Sequence, residues 1–199
     1  MSGTETVADT RAHLNAVLTD LARVVDGIDG AERAAATPCT EYDVATLLDH
    51  VVGWLDTFSA GYADPEGRAP RADLSGYRAP DDAAAAVRDA AATLDRALAA
   101  GAATRPLTLG EAAMPGEMAL SMILWEYQVH GWDLAVATGQ PWSPPDAGLE
   151  ASLVFAPMML TDDYQGEGKT FGPRVAVADD APALDRLVAI SGRDPGWSR

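Results

Sequence analysis

The sequence predicts an all-α fold, a bundle of four long helices with an additional helix and a short irregular C-terminal extension. Three observations carry this reading. Apolar residues recur at three-to-four spacing over long segments, the period of a helix with one buried face. Glycines and prolines stand where those segments open or close. The stretches with an extended character are few and short.

The first helix is expected over about residues 6–25, where Leu14, Val17, Leu18, Leu21 and Val24 make one apolar stripe, and Gly27 and Gly30 follow it. The second is expected to start at an N-cap on Thr40, with Asp43 three residues on as a variant capping box. Its buried face is Leu47, Leu48, Val51, Val52, Leu55 and Phe58, and Gly61 marks its end. Residues 62–80 hold Pro65, Gly67, Pro70, Gly76 and Pro80 and read as a loop of the length used for lids and pocket walls. An alanine-rich third helix spans about 81–100, its N-terminus favoured by Asp81 and Asp82. The segment 105–110 is short and could be extended. The fourth helix runs over about 116–138, and a fifth over about 146–160 behind Pro144 and Pro145. In the tail, 175–178 could be briefly extended, and 182–191 suits a short helix that packs Leu184, Leu187, Val188 and Ile190 on the rest. The expected division is a metal-binding helical bundle over 1–162 and an extension over 163–199 docked on it.

The 199 residues suit one domain with its own core. A formal charge of −16 repels phosphate backbones and anionic lipid, so neither nucleic acid nor membrane is expected as a partner. One cysteine, Cys39, rules out a disulfide framework within the chain and fits a reducing, cytoplasmic setting. The N-terminal stretch lacks the basic patch and apolar run of a signal peptide, and no segment is long and apolar enough to span a bilayer.

The fourth helix carries the chemistry. Within LSMILWEYQVHGWDLAVA, Glu126 and His130 interrupt dense apolar sequence four residues apart, so they share a face at about 6 Å between their bases. Asp133 continues the row. A buried carboxylate without a partner is costly, so something must satisfy these groups. A Glu–His hydrogen bond, or exposure at the helix edge, would do so. His50 offers another answer, because it stands beside the apolar stripe of the second helix. If those two helices are neighbours, two imidazoles and one carboxylate form a three-ligand metal set with a position open to water or substrate. Nitrogen and oxygen donors suit zinc, nickel, iron or manganese. Trp54, one turn after His50, fits either core packing or a pocket wall. Asp133 either orients a ligand histidine or faces water. Trp125 and Trp132 read as core and His13 as a boundary residue. Cys39, eleven residues before His50, would lie about 16 Å away along a continuous helix and reads as a small buried hydrophobe.

TPCTEYDVATLLDHVVGW (37–54) followed by EYQVHGWDLAVATG (126–139) resembles the DinB/YfiT-like superfamily. The chain is most similar to the N-terminal, metal-binding domain of mycothiol-dependent maleylpyruvate isomerases and their actinobacterial relatives, and the stretch 171–195 is also like that family. The resemblance implies an antiparallel four-helix bundle with a metal at one end of the core. It places the family's first metal histidine on His50 and its Glu-x-x-x-His pair on Glu126 and His130. One departure is expected, the absence of the isomerases' larger second domain.

The resemblance therefore implies a metal-dependent enzyme that uses a low-molecular-weight thiol such as mycothiol, as an S-transferase or isomerase, with zinc first among the metals. The partners are then a small-molecule thiol and an electrophile, and a homodimer is compatible with this reading. Two other classes stay open: a non-catalytic metal- or ligand-binding module, and a metal-dependent hydrolase.

Overall fold

The computed structural model describes residues 6–199, so the first five residues of the N-terminal stretch read above for a leader lie outside the described residues. The described chain is mostly helical. It has six α-helices, α1 (Val7–Asp26), α2 (Val44–Ala63), α3 (Ala83–Ala99), α4 (Gly116–Ala137), α5 (Asp146–Met159) and α6 (Ala183–Ile190), and two short strands, β1 (Leu107–Leu109) and β2 (Ala112–Met114).

Local chemistry sets the ends. Thr6 caps α1 in a full capping box with Asp9, each side chain accepting the other's backbone N–H. The expected cap of α2 is corrected. Asp43, not Thr40, is the N-cap, and its carboxylate accepts from the Thr46 N–H at 2.8 Å. Residues 36–43 instead fold back as a tight loop. Ala36 bridges Asp43, and the Thr37 hydroxyl donates within it to the carbonyls of Cys39 or Tyr42. Asp82 caps α3 through the Ala85 N–H.

The all-α expectation needs one addition. Residues 107–114 form a two-stranded antiparallel hairpin, turned by Gly110 at φ +61° with Leu107 opposite Met114. Residues 175–178 form no strand.

Among the four long helices, α2 packs extensively on α3, and α1 on both α3 and α4. Leu14, Leu18, Leu21, Leu47, Leu55, Val87, Leu94, Leu120 and Ile123 meet in this core, each almost fully removed from water. Burial of that hydrocarbon is the main force holding the helices. The contact of α2 with α4 is slighter, and a cavity opens between them.

Helix α4 is covered on nearly every side, because α5 packs on its outer face and α6 on α5. This explains the lack of a polar stripe in its sequence. Trp125 and Trp132 are core residues, and Trp125 donates its indole N–H to Ser191 at 2.9 Å. Phe171 lies against the same ring, with centroids 5.1 Å apart. Gly131 lets Trp142 approach α4. A Cβ there would stand 2.2 Å from the indole, which donates its N–H to the Gln128 carbonyl. No helix of the described residues is long and apolar enough to cross a membrane.

Candidate functional site

The face of α4 that turns toward the gap carries Glu126 and His130, and the facing side of α2 carries His50. The three side chains converge. One ligand atom from each lies within 4.8 Å of the other two. His130 Nε2 is 3.3 Å from Glu126 Oε2, and the rings of His50 and His130 sit edge to face with centroids 5.1 Å apart. Such a group of two imidazoles and a carboxylate could hold a metal ion.

Behind His130 stands Asp133, wholly buried, with Oδ2 at 3.1 Å from His130 Nδ1. The same oxygen accepts from Arg193 Nη2 at 3.1 Å, and Arg193 Nη1 donates to the Ser191 carbonyl. Arg193 belongs to the C-terminal tail and is itself buried. The row Arg193–Asp133–His130–Glu126 therefore alternates in charge when His130 is protonated, which answers how α4 keeps two carboxylates in an apolar setting.

The two histidines are tuned oppositely. Burial, reinforced by repulsion from His130, lowers His50 from 6.5 to about 4, so His50 is a neutral donor. Burial also opposes the charged form of His130, but its hydrogen bonds to Asp133 and Glu126 outweigh burial and raise its pKa. Glu126 is pushed up by burial and pulled down further by His130, for a net lowering.

The three groups stand at one end of a cavity of about 370 Å³ between α2 and α4. Trp54 and Phe58 extend along its α2 wall, their rings stacked at 5.5 Å between centroids. Leu109 and Met114 of the hairpin and Met122 of α4 also line it. The long loop expected at 62–80 is not a lid over this cavity, since none of those residues lines it; the hairpin and Phe171 serve instead.

The five candidate site residues of the sequence thus take defined places. His50, Glu126 and His130 come together, Trp54 is on the cavity wall, and Asp133 touches His130 from behind. His13 does not line the cavity and packs half-buried beside Gly148. Cys39 differs from expectation. Because α2 begins at Val44, the loop before it folds back and brings Cys39 to the cavity wall. Burial raises its thiol to about 11 despite Arg193 nearby, so it is a neutral wall group rather than a thiolate. Tyr42, whose ring lies 5.2 Å from that of His50, and Arg193 were not singled out in the sequence. Arg193 had a readable signal: the acid row on α4 required a cation, and few basic residues occur in the chain.

The family model described as the mycothiol maleylpyruvate isomerase N-terminal domain matches residues 14–135, which include all three converging side chains and Asp133. Two uncharacterized proteins of Mycobacterium tuberculosis, from strains CDC 1551 / Oshkosh and ATCC 25618 / H37Rv, are each 34% identical to this chain over 158 residues, or 79% of this chain and 82% of theirs. No solved structure matches the chain. The matched residues span the core helices α2 and α3 and nearly all of α4. The chain belongs to the mycothiol maleylpyruvate isomerase N-terminal domain family.

Proposed function

We propose that this protein is a metal-dependent enzyme that uses a low-molecular-weight thiol of the mycothiol type on a small electrophile, as a transferase or an isomerase. The observation that supports it is the convergence of His50, Glu126 and His130 at one end of a cavity. The ligand atoms of a tetrahedral ion stand about 3.4 Å apart when its bonds are about 2.1 Å long, and the three here lie within 4.8 Å of one another, so the ion would draw them together. His130 Nε2 and Glu126 Oε2, at 3.3 Å, meet that requirement as they stand. The nitrogen–oxygen donor set favours zinc, with nickel, iron or manganese as other occupants.

His50, Glu126 and His130 would hold the ion, which when bound supplies the positive charge that keeps a thiol sulfur in its thiolate form. The other residues prepare the place. Asp133 fixes the ring of His130 so that Nε2 faces the cavity, and Arg193 fixes Asp133. His50 is already neutral at pH 7. The apolar walls exclude water from the space an electrophile would occupy.

In this reading α1–α4 form the antiparallel four-helix bundle of DinB-like proteins, and 163–199 is an extension docked on it. The location that goes with a free thiol co-substrate is the cytoplasm.

The test is His130→Ala. It removes one of three ligands without disturbing the apolar stripes that hold the helices. The expected result is a folded helical protein by circular dichroism, no retained metal by elemental analysis, and no turnover of a model electrophile with added thiol. Full metal occupancy in the variant would refute the ligand assignment. Lost metal with full turnover would refute the mechanism, and an unfolded variant would move the site to a structural role.

A further inference from the structure

We infer that the cavity selects an uncharged aromatic substrate of about two fused rings and discriminates against anionic ones. The inference rests on the proposed function for calling the occupant a substrate; the selectivity itself is read from the cavity walls. Size comes first. A cavity of about 150 Å³ holds one benzene, and this one measures about 370 Å³.

Shape comes second. His50, Trp54 and Phe58 follow one another at every fourth residue of α2, so their side chains rise along one face. Trp54 meets His50 edge-on at 6.5 Å and stacks on Phe58 at 5.5 Å and 20°. This makes an aromatic rail that starts at the histidine and runs along the cavity. Met122 and Met114, on α4 and the hairpin, also line the cavity, and thioethers adapt to ring edges. A planar ring system laid against the rail meets aromatic and thioether surface.

Charge comes third. The carboxylates of Glu41 and Glu126 line the cavity, and Arg193 is its one guanidinium or amine. That guanidinium is turned to other groups through two of its nitrogens: Nη2 donates to Asp133 and Nη1 to the Ser191 carbonyl. Its Nε is buried without a partner, on a cation whose charge Asp133 offsets. The Tyr127 hydroxyl donates to the Val51 carbonyl at 2.9 Å. Along the aromatic and thioether walls, away from the metal position and His130, an anionic group would lose its hydration and meet little to replace it.

The experiment is isothermal titration calorimetry of the zinc-loaded protein with 2-methoxynaphthalene and with naphthalene-2-sulfonate. The two share a ring system, and a sulfonate is a poor metal ligand, so any attraction of the sulfonate to the zinc charge works against the expected preference and does not produce it. The ether is expected to bind tighter by about tenfold or more. Trp54→Ala should weaken the ether by about fivefold at unchanged zinc content, the worth of one ring contact. Met122→Lys should raise the affinity for the sulfonate by roughly tenfold, because it supplies the missing cation. Equal or tighter binding of the sulfonate by the wild type would overturn the inference. So would an unchanged sulfonate affinity in Met122→Lys, or an unchanged ether affinity in folded Trp54→Ala. Zinc measured on the same samples separates the two readings. A protein that holds no zinc yet prefers the ether refutes the metal reading alone. A zinc-loaded protein without preference refutes this one alone.

Discussion

The joint between the tail and the candidate metal centre can be tested as a double-mutant cycle on Asp133 and Arg193. Asp133 has no solvent exposure and the Arg193 side chain 7%, with 3.1 Å between them. Removing one member of a buried pair leaves the other charged and unsolvated, at about 3–5 kcal/mol. Asp133 keeps His130 as a second partner, so Arg193→Met falls at the lower end, about 3 kcal/mol, equivalent in a chain of this size to a drop in Tm of roughly 6–12 °C. Asp133→Asn strands Arg193 with a carbonyl as its remaining partner and costs a similar amount. The double variant removes both charges. It should lose far less than the sum, with a coupling of about 2–3 kcal/mol in equilibrium urea unfolding. Metal affinity should respond differently. Asp133→Asn frees the ring of His130 and should weaken zinc binding by about 10–100-fold, whereas Arg193→Met, which does not touch His130, should change it less. Additivity within about 0.5 kcal/mol would refute the claim that the two residues act as one unit. Unchanged zinc affinity in Asp133→Asn would refute the role given to Asp133.

Three further outcomes follow from the same geometry. His50 is depressed to about 4 in the fold from 6.5, so the unfolded chain takes up a proton that the folded chain refuses. The stability that its neutral form contributes is complete above about pH 6.5 and lost as pH falls toward 4, so thermal melts of metal-free wild type should decline across that window more steeply than those of His50→Gln. Equal slopes would contradict the burial of a neutral His50. Gly131→Ala sets a methyl 2.2 Å from the Trp142 ring and should cost about 1–3 kcal/mol or more, read as a lowered urea midpoint and altered tryptophan fluorescence. An unchanged midpoint would show that Trp142 yields freely. Limited proteolysis that removes residues 163–199 should lower the Tm of what remains, since α6 contributes Leu187 and Val188 to buried clusters and Arg193 goes with it. An unchanged Tm would contradict a docked extension.

Helix positions were legible because each has a period and a chemical stop. The fourth helix was placed to within a residue at each end, since Pro115 and Gly139 bracket an unbroken apolar run. The start of α2 was misplaced because Thr40 and Asp43 are both good caps, and spacing alone does not choose between them. Tertiary structure decides: the Thr37 hydroxyl and the Ala36–Asp43 bridge hold 36–43 in a turn, leaving Asp43 as the residue whose backbone is extended at the helix mouth. With that three-residue shift the loop before α2 folds back, which puts Cys39 on the cavity wall instead of far from His50 along the helix line. The proximity of His50 to Glu126 depended on which helices adjoin, which the apolar stripes do not specify.

The slight contact between α2 and α4 connects fold to site. Helices that pack fully leave no room for a ligand, and helices that part expose apolar surface to water. Here the gap is closed at one end by the paired Glu126 and His130 and is walled elsewhere by long, deformable or aromatic side chains from the hairpin, α4 and the tail. The inner groups are held from behind, through Asp133 and Arg193, by a segment far away in sequence. A site built this way has its reactive face toward the cavity and its support in the core. Substitutions that alter specificity should therefore fall on Trp54, Met114 and Met122, which only line the space. Substitutions at Asp133 and Arg193 should show first as lost stability, because those side chains are buried and hydrogen-bonded to one another.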